Sequence, residues 1–162
     1  MTTASSGPSA LGLGTGPVAA PWRSRGPLLT QAEPTLQVQS VLYKTEKHAL
    51  DRSLASLARS AELAVLPDGR RIRVRVAYGD ASPMRALEDA DVAELTERYR
   101  SALDISYRYF DENTGSARGH NALAAGSDAD YLMTLNPDVV VAPRTIALLF
   151  EPFLRSGVGM TE

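Results

Sequence analysis

Between about Leu36 and Phe150, short runs of apolar and β-branched residues alternate four times with stretches of helical period. No other feature narrows the fold of this chain as far. The strand-like runs are Val38 to Tyr43, Ile72 to Tyr78, Ile105 to Phe110 and Tyr131 to Leu135. After the first, Thr45 is placed to cap a helix whose Leu50, Leu54, Leu57 and Ala61 follow the 3.6-residue period. Pro67, Asp68 and Gly69 make the turn into the second strand. There Ile72, Val74 and Val76 alternate with Arg71, Arg73 and Arg75, so one face of the sheet is expected to be only partly covered. A second helix is expected over about Ala90 to Leu103, with Val92, Leu95, Tyr99 and Leu103 on one side. A short third helix covers about Ala117 to Ala125, and a fourth starts at Pro143 and runs through Ile146, Leu149 and Phe150. Repeated strand–helix units predict an α/β fold of Rossmann-like type, a mainly parallel sheet with right-handed crossovers and helices on both faces.

Residues 1–34 have a different texture, rich in Gly, Ser, Ala, Thr and Pro with Trp22 as the sole aromatic, and are expected to be a disordered tail. The Gly12, Gly14, Gly16 run within it follows no strand, and Pro17 stands where a dinucleotide loop would open its helix. Residues 35–162 are long enough for one domain with a core and too short for two. Nineteen acidic against 17 basic residues, with no long run of either sign, give no electrostatic case for a nucleic-acid partner. The absence of cysteine excludes disulfides, thiolate zinc sites and a thiol nucleophile. No stretch approaches a membrane span and the N-terminus lacks the pattern of a signal peptide, so the chain reads as soluble and cytoplasmic.

In open α/β sheets ligands sit at the carboxyl ends of the strands, so the residues just beyond each strand carry the functional information. Gly79 to Pro83 follow the second strand, Glu112 to Asn121 the third, and Asn136, Pro137 and Asp138 the fourth. Taken singly each has an ordinary explanation: Asp80 with Ser82 can be an Asx turn or a helix cap, and Asn136–Pro137–Asp138 is turn chemistry.

Taken together and in order, Asp80, then Asn113, Gly115, Gly119 and Asn121, then Leu135, Asn136, Pro137 and Asp138, resemble the nucleotide-binding half of glycosyltransferase family 2. Within it the likeness is to bacterial rhamnosyltransferase-like members, which have Asn-Pro-Asp where Asp-any-Asp is usual. The resemblance spans about Val38 to Glu162 and implies a GT-A sheet in the order 3-2-1-4. It implies that Asp80 accepts a hydrogen bond from the nucleobase and that Tyr43 lines base and ribose. Asn113 and Gly115 would form a turn that lets backbone approach the ligand, with glycine where a Cβ would collide. Arg118, Gly119, His120 and Asn121 would open the next helix, with Arg118 or His120 facing the diphosphate. Asp138 would hold a divalent ion, manganese or magnesium, against the diphosphate, and Asn136 would touch ribose or a metal-bound water. His48 matches no role.

The resemblance thus implies a transferase that moves a sugar from a nucleotide-diphosphate donor to a hydroxyl of a glycan or lipid-linked acceptor, by an inverting displacement, at or near the inner face of the membrane. The family's acceptor site and base lie beyond the metal motif. Only Glu151 and Glu162 follow Asp138 among the glutamates and neither fits as base, so the chain is expected to be a partial enzyme, missing a C-terminal half and inactive alone. A module that binds a nucleotide sugar or glycan without chemistry is the alternative. A dinucleotide or phosphate-loop domain is disfavoured, because neither G-x-G-x-x-G nor G-x-x-x-x-G-K follows a strand.

Overall fold

A computed structural model describes residues 33–154, so the expectation of disorder lies, for residues 1–32, outside the described residues, as does Glu162. The elements in chain order are β1 (Thr35–Leu42), α1 (Lys47–Glu62), β2 (Arg73–Asp80), α2 (Asp89–Tyr99), β3 (Asp104–Tyr109), α3 (Gly115–Ala125), β4 (Tyr131–Thr134) and α4 (Thr145–Phe150), then a 3-10 turn over Glu151–Leu154. The strands form one parallel sheet in the order β3-β2-β1-β4, as the sequence led us to expect.

Alternation along β1 sorts its side chains between two unlike faces. Leu36, Val38 and Leu42 join Val74, Val76 and Tyr78 of β2 beneath α1, α2 and α4, whose Leu50, Leu54, Leu57, Leu95, Ile146 and Phe150 complete a continuous core. The α1 hydroxyls hold α4 in place: Ser60 accepts from Ile146 N–H at 3.1 Å and Ser56 from Val141 N–H at 3.1 Å. The opposite face carries α3 and is partly polar. Gln37 and Gln39 are buried there, and their amides donate to the Leu123 and His120 carbonyls of α3. Helices therefore cover both faces, three against one. Arg75 on the thinner face is paired with Asp128, and Arg73 lies 3.8 Å from Asp104.

Several element ends differ from the sequence reading. β1 begins three residues earlier because Asp130 and Thr35 bond reciprocally, with Thr35 N–H and hydroxyl donating to the carboxylate and Asp130 N–H to Thr35 Oγ1. Thr45 does not cap α1; its hydroxyl accepts from Tyr43 N–H, while Glu46 is the N-cap residue and its carbonyl takes the first helical bond from Leu50. α2 starts with a capping box between Glu88 and Asp91 and stops at Tyr99, short of Leu103, where Ala102 N–H closes a tighter i→i−3 turn onto the Tyr99 carbonyl. Pro143 lies before α4 rather than in its first turn. Thr145 N–H closes a turn onto Ala142, and Arg144 is the N-cap residue, its carbonyl taking Leu148 N–H at 2.9 Å. α3 opens at Gly115, two residues before Ala117.

Candidate functional site

A parallel sheet delivers the ends of all its strands to one edge, and here four loops meet there. β1 and β2 end level, Leu42 opposite Asp80, and β4 lies on the other side of β1 with Thr134 opposite Gln39. The loops after β2 and β4, bearing Asp80 and Asp138, thus flank the loop after β1 on the same edge. Backbone and hydroxyl contacts bind them together. Ala81 N–H donates to Leu42 O at 2.9 Å, Lys44 N–H to Ser82 Oγ at 2.7 Å, Ser40 Oγ to Leu135 O at 2.7 Å, and Phe110 N–H to Asp80 O at 2.8 Å. Two non-glycine residues with left-handed backbone, Lys44 at φ 53° and Asp111 at φ 58°, lie in the loops of this edge. Such conformations persist where surrounding contacts enforce them, and they cluster at functional sites.

Asp80 is fully buried. Its Oδ1 accepts from Ser82 N–H at 3.0 Å, and its Oδ2 from Ala86 N–H at 2.7 Å and from the Tyr107 hydroxyl. Burial by itself pushes the carboxyl up. The bonds from Ala86, the Ser82 hydroxyl, Tyr107 and Ser82 N–H outweigh it and hold the group below the usual carboxylate range. Tyr107 responds in the opposite sense: desolvation first, then the Asp80 carboxylate, push its phenol up to about 12. Asp80 is thus an ionised staple at the base of the loop between β2 and α2. Tyr109 adds a bond from its hydroxyl to Pro83 O at 3.1 Å.

The glycines of the third loop do different work from each other. Gly115 has φ +64° and open space where a Cβ would stand, so it is needed for its backbone conformation and not for close approach. A Cβ on Gly119 would come within 2.7 Å of a Val41 methyl and 3.0 Å of Thr114 Oγ1, which makes Gly119 the contact that seats α3 on β1. Asn113 Oδ1 accepts from Gly115 N–H at 3.0 Å and so caps the start of α3. Because α3 opens at Gly115, its leading amides belong to residues 115–117. Arg118, Gly119, His120 and Asn121 lie further along the helix than its first three positions. Arg118 is exposed and paired with Glu112 at 3.0 Å. His120 is half-buried, with Nδ1 enclosed and unbonded, and burial pushes its imidazole down. Asn121 is exposed on α3.

Tyr43 is 49% exposed, and Asn136 and Asp138 are also exposed, in a turn closed by Val139 N–H onto Asn136 O. Among the described residues no three His, Cys, Asp or Glu side chains gather as a metal cage. Asp138 stands as a single exposed carboxylate on this edge. Glu151 lies far from this edge. It follows Phe150, whose ring packs 5.0 Å from Tyr131 at the opposite end of β4. Sequence reasoning missed Ser40 and Tyr107. Tyr107 was legible in part, since it shares the more covered face of β3 with Ile105 and Tyr109 and alternates with Ser106 and Arg108.

No protein-family model matches the chain. A Haemophilus influenzae protein described as uncharacterized is 33% identical over 76 residues, which is 47% of this chain and 40% of that protein. The crystal structure of S. aureus TarS 1-349 is similar with a TM-score of 0.51 at 15% identity, covering 73% of this chain and 32% of that one. The chain thus spans less than half the length of either. At this identity the likeness to TarS is one of fold. Among the described residues no helix is long and apolar enough to cross a membrane.

Proposed function

We propose that this chain binds the nucleoside diphosphate of an activated sugar at the carboxyl edge of its sheet and is the donor-binding part of an inverting glycosyltransferase. The observation that carries the reading is the convergence of the four loops on one edge of a glycosyltransferase-like sheet, with the exposed carboxylate of Asp138 across β1 from the staple built on Asp80. Tyr43, half-exposed with Lys44 Nζ 5.5 Å from its ring centre, would line the base or ribose. The amides of Ser116 and Ala117 in the first turn of α3, beyond the Gly115 N–H that Asn113 already takes, favour negative charge and suit the diphosphate. Gly119 sets how closely that helix approaches β1. Asn136 offers an amide to ribose or to a metal-bound water.

A manganese or magnesium ion held by Asp138 would supply neutralisation of the charge that builds on the diphosphate as the bond to the sugar carbon breaks. The chain's own residues hold and orient the donor. The donor base in this reading is uracil, thymine or guanine, the acceptor a glycan or lipid-linked hydroxyl, and the family that of the rhamnosyltransferase-like enzymes at the cytoplasmic face of a membrane.

Calorimetric titration of uridine, thymidine and guanosine diphosphates into the chain, with manganese and again with chelator, tests the reading. We expect tighter binding with the ion, and loss of that gain in Asp138→Ala. Equal affinity in both conditions would remove the metal role, and no binding of any of the three would remove the function.

A further inference from the structure

We propose that Met84, at the tip of the loop between β2 and α2, is a donor-contacting residue, and that it forms with Tyr43 an apolar ledge for the planar base of the nucleotide. The proposal rests on the nucleotide reading above and adds to it the residue that would distinguish a nucleotide from a bare diphosphate. A lone exposed methionine needs no explanation, since folded surfaces are more than half apolar. Met84 is not alone and its loop is not loose. It is 82% exposed, and it stands two residues beyond Ser82, whose hydroxyl accepts from Lys44 N–H, so its loop is tied to the one that presents the half-exposed Tyr43. Both side chains stand on the edge where the strand ends gather.

The loop is fixed from below. Oxygens of Asp80 take Ser82 N–H, Ala86 N–H and the Tyr107 hydroxyl, Tyr109 grips Pro83 O, and the Arg85 guanidinium lies 5.5 Å from the Tyr107 ring centre while pairing with Asp89. A loop stapled on both sides of residue 84 holds an unbranched thioether out in solvent, with little of its own backbone freedom left to lose on binding. Sulfur against an aromatic ring is favourable, and Tyr43, with Lys44 Nζ 5.5 Å from its ring centre on one face, has its other face left for a planar partner. Because the Asp80 carboxylate is already engaged by four groups of its own chain, its task in this arrangement is to position the ledge, with Tyr107 as its partner.

The test compares five nucleoside diphosphates, those of uridine, thymidine, guanosine, cytidine and adenosine, with inorganic pyrophosphate, all with manganese, on the full chain and on Met84→Ala, Met84→Leu and Tyr107→Phe. Met84→Ala should weaken the best-bound nucleotide about five- to tenfold, consistent with the usual strength of sulfur–aromatic contact. Pyrophosphate affinity should be unchanged and Met84→Leu should restore most of the loss. Tyr107→Phe should weaken the nucleotide but not pyrophosphate, a split that general destabilisation would not produce. Unchanged nucleotide affinity in Met84→Ala, or an equal loss for pyrophosphate, would overturn the proposal and leave the nucleotide reading standing. Binding of pyrophosphate with no preference for any nucleotide in the unaltered chain would overturn both.

Discussion

Replacing Asp80 with Asn keeps the shape of the side chain and removes half of its accepting capacity. In the native loop the two carboxylate oxygens take Ser82 N–H at 3.0 Å, Ala86 N–H at 2.7 Å and the Tyr107 hydroxyl. An amide has one acceptor oxygen, and its NH2 would face a donor whichever way it is turned. Hydrogen bonds to a charged group contribute about 1.5–3 kcal/mol each, so losing at least one of them and leaving a buried donor unmatched should cost about 2–4 kcal/mol at pH 7. At roughly 4 °C per kcal/mol for a domain of this size, the melting temperature should fall by about 8–16 °C. The effect should depend on pH in a fixed direction. The native carboxyl is held below its ordinary value of 3.8, so its contribution is fully present above that value and is lost as pH falls through the lower, native one. Urea denaturation at pH 7 and at pH 3 should therefore show a wide gap between the wild-type and Asp80→Asn proteins that narrows in acid. A gap under about 0.5 kcal/mol at pH 7, the range typical of surface changes, would refute the staple.

Three further outcomes follow from the same geometry. Gly119→Ala forces a methyl within 2.7 Å of Val41 and should destabilise by about 1–3 kcal/mol in thermal melts, with Val41→Ala in the same chain recovering part of it. Arg118→Ala should change stability by less than about 0.5 kcal/mol, because its pair with Glu112 is solvent-exposed. Tyr107 should ionise near pH 12 in an ultraviolet titration; since its native value is raised, the stability it adds is present below about pH 10 and is lost as the pH climbs through 12, and Tyr107→Phe should abolish that step.

The layers of the fold were legible because apolar period and strand alternation both depend on local spacing. Leu50, Leu54 and Leu57 announce the buried side of α1, and Ile72, Val74 and Val76 that of the second strand. The strand order followed from the family resemblance, not from spacing. Element ends were poorly legible where a distant partner decides them: Asp130 starts β1 through Thr35, 95 positions away. Pro143 is well suited to a first helical turn, and only the turn onto Ala142 shows that it stands outside. The site was legible as a set of loops and not as a set of contacts. Spacing placed Asp80 and Asp138 on one edge, but the enclosure of Asp80 depends on Tyr107, a residue of a strand 27 positions away. Gly115 and Gly119 look equivalent in the sequence, yet one serves a left-handed backbone and the other a close contact.

Paramagnetic broadening of backbone amide signals by manganese, recorded with a saturating nucleoside diphosphate, tests most directly whether this edge holds a metal-linked nucleotide. The account predicts broadening centred on residues 136–139 and extending to the loops at 43–45 and 113–117, present only with nucleotide and lost in Asp138→Ala. Broadening centred instead on the opposite edge, around Glu62, Arg71 and Asp104, or broadening that survives Asp138→Ala unchanged, would contradict it.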